Sequence, residues 1–366
     1  MSTCNRRISY LCLQRTAEGQ ASHAHVHEII NELRLRGWDV ALFEPASKYG
    51  RLVEFLKAQL RLWRQSRGTD ILYVRSHFCT LPVLLWARAR GIPVVQEVNG
   101  PYEDLFIAHP WTRSLTPLFR MLIRASLRLS SALIAVTPEL KTWLELQFPN
   151  MPVHVIPNGA NSLLFRPEVA DAGALPQPYA IFFGALAAWQ GLDTLLAAVE
   201  DANWPAEVSL VIAGDGAVRP LVEAAAKANP RVQYIGKIPY RRMPAIVAGS
   251  IVGISPQNNL GGRSSTGLSP VKVFEMLASG VPVIVSDFPG QAELVREWEC
   301  GVVIPADDAQ ALACAVAHIY RNAGIRERMG RQGRQAIERA HSWSRRALDT
   351  SKVLQHLLAD ADAAPV

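Results

Sequence analysis

The chain has 366 residues, 49% of them hydrophobic and 19% charged, with a formal net charge of +6. This length and apolar content predict two globular domains and exclude a disordered or fibrous protein. The five cysteines are scattered and show no CxxC spacing, which argues against a disulfide framework and a zinc site. No apolar run approaches the roughly 18 residues of a membrane span, and no secretory signal is apparent. We therefore expect a cytoplasmic protein.

The charge is unevenly distributed. Residues 1–165 hold 19 Lys and Arg against 12 Asp and Glu, whereas the rest of the chain holds 19 against 20. The first half is therefore expected to meet an anionic partner, and the later half is not. We expect that partner to be a membrane surface or a phosphate-bearing acceptor, and no nucleic acid.

The chain opens with a predicted strand, loop, helix and strand at Ile8–Leu13, 14–22, 24–36 and Asp39–Phe43. This βαβ unit lacks the GxGxxG fingerprint of dinucleotide binding, so no nicotinamide cofactor is expected. The loop contains Gly19 and should lie at the carboxyl edge of the sheet, where open α/β folds bind ligands. His25 follows at the helix start between His23 and His27, a spacing that does not direct three imidazoles to one metal. We place Gly19 and His25 on the acceptor side and predict no metal.

The alternation continues to residue 156, with strands predicted at Ile71–Arg75, Pro93–Val98, Ala132–Val136 and His154–Ile156. Helices are predicted at Arg51–Arg67, Leu81–Arg90 and Trp111–Ser130. The first and last of these helices interleave large apolar residues with arginines. They are either a basic amphipathic face that lies on anionic lipid or ordinary domain helices with a solvated arginine face.

A Pro- and Gly-rich stretch at about 157–178 is predicted to link the domains. A second series of strands follows at Tyr179–Gly184, Val208–Gly214, Val232–Gly236, Ile251–Ser255, Val281–Val285 and Val302–Ile304. Such alternation predicts an α/β protein with two doubly wound parallel sheets. We assign residues 1–165 to the first domain and 166–345 to the second. Residues 346–366 form a C-terminal helix that returns to the first domain.

The segment 267–287 contains a local anomaly. Ser269 is predicted as the N-cap and Pro270 as the first residue of a helix that ends at Gly280. Lys272 then lies in the first turn, where the helix dipole disfavours a cation. A phosphate held by the backbone N–H groups and Lys272 would explain it. The alternative is a surface pair of Lys272 with Glu275, one turn along the helix.

Several motifs, in order and spacing over residues 150–310, resemble the retaining glycosyltransferases of family 4. They include 155-VIPNG-159, 211-VIAGDG-216, 269-SPVKVFEMLASG-280 and 286-SDFPGQAE-293. The resemblance implies the GT-B architecture of two Rossmann-like domains. It also implies a nucleotide-diphosphate sugar, UDP- or GDP-linked, bound by the second domain, and an acceptor bound by the first. Such enzymes need neither a metal nor a cofactor.

By this resemblance Glu275 matches the second glutamate of the Glu-x7-Glu motif, which binds the ribose hydroxyls, and Lys272 lies beside the diphosphate. Gly184, Gly214 and Gly236 end strands and allow close approach of the donor. The remaining donor-side residues are Ser269, Gly267, Leu268, Gln190 and Arg263. Glu97 or Asn99 would orient the sugar or acceptor, so Lys272, Glu97 and Asn99 are the candidate catalytic residues.

Three departures from the family pattern stand out. Gly267 occupies the position of the first glutamate of Glu-x7-Glu. Ala185 and Gln190 replace the family's Arg and Lys pair, leaving Lys272, with Arg263 or Lys237, to neutralise the diphosphate. Asn99 lies near the position of a histidine that many members carry.

The sequence thus predicts a retaining hexosyltransferase that acts on a saccharide or polyprenyl-diphosphate-linked acceptor, in surface polysaccharide or glycoconjugate biosynthesis. It would be cytoplasmic or peripheral on the inner face of the cytoplasmic membrane. The alternatives are a non-catalytic sugar-nucleotide-binding scaffold subunit, which the missing Arg, Lys and Glu would suit, and an epimerase or phosphorylase on the same architecture.

Overall fold

The computed structural model describes residues 6–16, 21–47, 51–108, 110–171, 173, 175–259 and 263–363. Its strands are β1 Arg7–Leu11, β2 Asp39–Phe43, β3 Ile71–Arg75, β4 Val94–Val98, β5 Ala132–Ala135, β6 Val153–Val155, β7 Tyr179–Ala185, β8 Ser209–Asp215, β9 Val232–Gly236, β10 Val252–Ser255, β11 Val283–Ser286 and β12 Gly301–Ile304. Its helices are α1 Ala21–Leu35, α2 Arg51–Gln65, α3 Leu81–Ala89, α4 Asp104–Ala108, α5 Thr116–Arg128, α6 Pro138–Gln147, α7 Leu192–Glu200, α8 Arg219–Ala228, α9 Met243–Ala248, α10 Val271–Ala278, α11 Gln291–Trp298, α12 Ala309–Arg321, α13 Ala323–Arg339 and α14 Trp343–Ala363.

The contacts divide the chain into two compact units. The first comprises residues 1–16, 27–157 and 346–366, and the second comprises residues 17–26 and 158–345. Each unit contains one parallel six-stranded sheet, in the order β2-β1-β3-β4-β5-β6 in the first and β12-β11-β10-β7-β8-β9 in the second. The predicted doubly wound α/β fold is therefore confirmed.

The second sheet reverses its strand order between β7 and β10, which pair directly. Open α/β sheets bind ligands outside the carboxyl ends of the strands at such a switch point. The apolar β7 has core on both faces: Phe182 belongs to one buried cluster, and Ile181 belongs to the other together with Val273 and Met276 of α10. Strand β7, which ends at the switch point, is thus fixed by dense packing on both faces, and α10 forms part of that packing.

Three local predictions need correction. The segment predicted as one helix over Trp111–Ser130 begins as a 3-10 helix, Pro110–Leu115, and α5 starts at Thr116, with proline in its first turn. The stretch at 157–178 is not a free linker, because Phe165 is fully buried and residues from 158 onward group with the second unit. The last helix, α14, begins at Trp343, three residues before the predicted start at 346, and is described to Ala363.

Residues 346–363 of α14 group with the first unit. The indole N–H of Trp38 donates to the Ser351 hydroxyl over 2.8 Å, and Arg6 forms an ion pair with Asp362. None of the described helices is long and apolar enough to cross a membrane.

Candidate active site

The site is built around α10, which follows the switch-point strand β10. Its cap differs from the prediction: the N-cap is Pro270, in an extended conformation, and Ser269 lies outside the helix. The Ser269 hydroxyl instead accepts from the Asn158 N–H, and its carbonyl accepts from the Asn158 amide over 2.6 Å. The left-handed Gly280 after the helix is confirmed, with a φ of 70°. All eight residues of α10 are buried, which excludes a surface Lys272–Glu275 pair.

The far end of α10 is fixed from behind by α13. The Arg334 guanidinium donates to the carbonyls of Ala278 and Phe165 over 2.6 and 2.7 Å. A side chain at Gly330 would approach the Gly280 carbonyl to 2.1 Å, so the two backbones touch directly. These contacts satisfy carbonyls that a helix end leaves open and keep α10 from shifting along its axis.

Lys272 occupies the first turn of α10 and is only 8% exposed. Its ammonium donates to the Gln190 side-chain carbonyl over 2.5 Å and lies 3.8 Å from the centre of the Phe182 ring. Within the part of the chain that the structure describes, no carboxylate forms an ion pair with it. Burial lowers the pKa of Lys272 to about 7. A buried cation without a counter-charge is costly, so the site favours an incoming anion.

Glycines keep the strand ends open beside this lysine. Gly184 and Gly214 are register partners near the ends of β7 and β8. A Cβ at Gly214 would meet the Gly184 carbonyl at 1.9 Å, and a Cβ at Gly184 would lie 4.0 Å from the Lys272 Cε. Gly236 ends β9 with a φ of 70° and open space around it. The predicted glycines therefore line the carboxyl edge of three neighbouring strands.

The other donor-side residues lie on or just before α10. Glu275 is 4% exposed and one turn beyond Lys272. Gly267 is buried with a φ of 78°, and the Leu268 N–H donates to the Pro289 carbonyl over 2.7 Å. The side chain of Arg263 lies outside the described part of the chain.

Glu97 in β4 is fully buried in the first unit. It accepts from Tyr73 over 2.8 Å and from the Asn99 amide over 2.7 Å, and it forms an ion pair with Arg346 at 2.9 Å. Because both carboxylate oxygens have partners, Glu97 acts as an anchor rather than as a group that reaches substrate. Asn99 is exposed at the end of β4 and is the one of the two that can touch a ligand.

Of the two predicted acceptor-side residues, the structure describes only His25. Gly19 lies outside the described residues. His25 is buried, and its ring meets the Trp343 ring edge-on at 5.3 Å. His25 therefore contributes packing and presents little surface to an acceptor.

The sequence motifs did not identify Phe182, Asn158 or Arg346 as site residues. Phe182 is one residue of a uniformly apolar strand and carries no sequence signal. Asn158 belongs to the quoted motif at 155–159, which could have indicated its contact with Ser269. Arg346 lies 249 residues from Glu97, beyond the reach of any local pattern.

Two family models match the chain, one in each half. Residues 168–336 match the family model of glycosyl transferases group 1, and residues 22–162 match that of Glycosyltransferase Family 4. A phosphatidyl-myo-inositol mannosyltransferase of Mycobacterium leprae is 26% identical over 92% of this chain and 93% of its own length.

Two solved structures show the same fold. A sucrose-phosphate synthase from Thermosynechococcus elongatus superposes with a TM-score of 0.80 at 18% identity, covering 97% of this chain and 100% of that one. Anabaena HepE in complex with UDP-glucose superposes with a TM-score of 0.71 at 16% identity, covering 96% and 99%. The chain therefore belongs to glycosyltransferase family 4, the group 1 enzymes of GT-B fold, and is a hexosyltransferase-type glycosyltransferase.

Proposed function

We propose that this enzyme transfers a sugar, with retention of anomeric configuration, from a UDP- or GDP-linked donor to a saccharide or polyprenyl-diphosphate-linked acceptor. Mannose is the first sugar to test, since the relative from Mycobacterium leprae is named as a mannosyltransferase. The acceptor would belong to surface polysaccharide or glycolipid biosynthesis. The reaction would require no metal or cofactor, because the protein's own charge and dipoles neutralise the leaving group.

The main observation that supports this proposal is the buried Lys272. It lies in the first turn of α10, where backbone N–H groups and the helix dipole also favour an anion. Its only hydrogen-bond acceptor in the described part of the chain is a neutral amide. The diphosphate of a sugar nucleotide supplies the missing negative charge, and its departure in the transition state concentrates that charge next to the ammonium.

We propose the remaining steps from the resemblance to family 4 and from the chemistry of these side chains. The acceptor hydroxyl attacks from the face that the diphosphate leaves, and its proton passes to the departing phosphate oxygen. The Glu275 carboxylate accepts hydrogen bonds from the ribose hydroxyls. Asn99, held by Glu97, orients the sugar or the acceptor. The enzyme contributes positioning and electrostatic stabilisation of the leaving group.

Acceptor-dependent release of nucleoside diphosphate tests this function. The purified enzyme is incubated with UDP- and GDP-linked hexoses, with and without a membrane lipid extract, and released UDP or GDP is quantified. We expect release with one donor class, and only when acceptor is present. Conversion of the donor without acceptor would instead indicate an epimerase, and binding without turnover would indicate a scaffold subunit.

A lipid-linked acceptor calls for a surface that meets a membrane, and an exposed apolar face of α2 in the first unit is the candidate. Its exposed apolar residues share one face and are 39% to 65% accessible; they are Leu52, Val53, Leu56, Leu60 and Trp63. The opposite side of the helix packs into the core through Ala58 and Leu62. Exposed Lys57, Arg61 and Arg64 flank the apolar face. We propose that this face of α2 lies on the anionic inner surface of the cytoplasmic membrane.

Vesicle flotation tests the α2 surface. We expect the enzyme to float with phosphatidylglycerol vesicles and much less with phosphatidylcholine vesicles. The double variant Leu56→Ser/Trp63→Ser should partition at least about tenfold more weakly, because two large apolar side chains no longer enter the interface. Leu163→Ser, at a leucine that is 83% exposed in the second unit, is the matched control and should bind as the parent does. Equal flotation of all three proteins would exclude this surface, and a concentration-dependent dimer lost in the double variant would assign it to self-association.

A further inference from the structure

The lysine at the donor site is held by an uncharged side chain. Gln190 ends a short 3-10 helix, Ala188–Gln190, that follows β7, and its side-chain carbonyl accepts from the Lys272 ammonium over 2.5 Å. In the family pattern this position carries a lysine. The substitution therefore removes one cation and gives the remaining cation an acceptor.

An amide differs from a carboxylate in what it does to its partner's charge. A carboxylate would hold Lys272 more strongly but would cancel its charge in a buried site. The amide oxygen fixes the ammonium in place and leaves its net charge intact. The centre of the Phe182 ring lies 3.8 Å from the Lys272 ammonium. The quadrupole of the ring attracts the ammonium without adding a counter-charge.

The turn that carries Gln190 is itself fixed at the switch point. The Asn258 N–H donates to the Trp189 carbonyl over 3.2 Å, and the Gln190 N–H donates to the Ala187 carbonyl over 2.9 Å. Gly191 lies so close to the loop after β10 that a Cβ there would approach the Pro256 carbonyl to 1.6 Å. Gln190 is thus held on a turn that has little room to move. Its side chain can therefore fix the position of the Lys272 ammonium.

We propose that Gln190 is a positioning residue that holds the Lys272 ammonium at the carboxyl end of β7 without adding a counter-charge, so that the protonated lysine is free to bind the donor diphosphate. This inference rests on the proposed function. It explains how a site that lacks the family's cation pair can still bind a diphosphate.

Two variants separate positioning from a purely structural role. Gln190→Glu keeps the hydrogen bond and the side-chain length but adds a counter-charge. Gln190→Met keeps the length and loses the hydrogen bond. Binding of UDP and GDP is measured by calorimetry, and thermal unfolding is measured on the same samples without nucleotide.

We expect Gln190→Glu to melt at or above the parent temperature while its nucleotide affinity falls at least about tenfold, because the new ion pair stabilises the fold and cancels the binding charge. Gln190→Met should bind about three- to tenfold more weakly, since the lysine is no longer directed. In turnover, its loss should appear mainly in KM for the donor.

If the parent binds UDP or GDP and Gln190→Glu binds it equally well, the inference is wrong while the proposed function stands. If Gln190→Met binds as the parent does, Gln190 does not position the lysine, and this result decides the matter even if the glutamate variant fails to fold. If the parent binds neither nucleotide, the proposed function and this inference fall together.

Discussion

Replacing Lys272 with methionine is expected to lower kcat/KM for glycosyl transfer by about 10²–10³-fold, the usual cost of losing one preorganised group that stabilises a developing negative charge. Methionine has similar length and suits a position that is only 8% exposed, so the fold should persist. Because burial already holds the pKa of the lysine near 7, removal of the charge should leave the melting temperature unchanged or higher. Activity and stability should therefore move in opposite directions, as measured by steady-state kinetics and thermal unfolding.

The matched control is Lys272→Arg, whose guanidinium stays protonated throughout the working range. In the parent enzyme the protonated lysine binds the diphosphate, so donor affinity should fall as pH rises above about 7. The arginine variant should lose this pH dependence. A methionine variant that retains parental kcat/KM would contradict the assignment of Lys272 to the leaving group.

The second large effect concerns stability. Arg346→Met is expected to lower the free energy of unfolding by about 3–5 kcal/mol, the range seen when one partner of a buried ion pair is removed. Arg346 and Glu97 are 3% and 0% exposed, so the glutamate would be left as an uncompensated buried charge. Arg346 also donates to the carbonyls of Ile156 and Pro157 over 2.7 and 2.6 Å, which would lose their donor. Urea unfolding, followed by fluorescence, measures the change.

The double variant Glu97→Gln/Arg346→Met serves as the control. Removing the glutamate's charge should restore part of the lost stability, because the remaining partners, Tyr73 and Asn99, can still bond to an amide. A single Arg346→Met variant as stable as the parent would show that the ion pair is not needed. No recovery in the double variant would place the cost in the two backbone carbonyls instead.

The fold could be predicted from the sequence because its pattern is regular and local. Apolar strands such as Val281–Val285, expected within two residues of the observed β11, alternate with helices in both halves. The same local reasoning failed at Trp111–Ser130, where apolar spacing continued across a break, and at 157–178, where proline and glycine indicated a linker. Proline in the first turn of α5 marks the break in the first case, and tertiary packing decides the second, since Phe165 lies in the core of the second unit.

The candidate site was predictable in part. The position of Lys272 in the first turn followed from the helix signals around Pro270. Its burial did not, because Lys and Glu on a helix usually face solvent, and only packing against β10 and α13 shows that α10 has no exposed face. The pairing of Lys272 with Gln190 joins residues 82 positions apart, and no spacing rule connects them.

The ion pair between Glu97 and Arg346 also bears on how the protein is made. The first unit is assembled from chain segments that are synthesised first and from the segment at 346–366 that is synthesised last. While the ribosome is still translating the second unit, the glutamate in β4 has no guanidinium to meet. The first unit therefore cannot close this ion pair until the segment that follows the second unit has been synthesised, which departs from the usual N-to-C order of domain folding during translation.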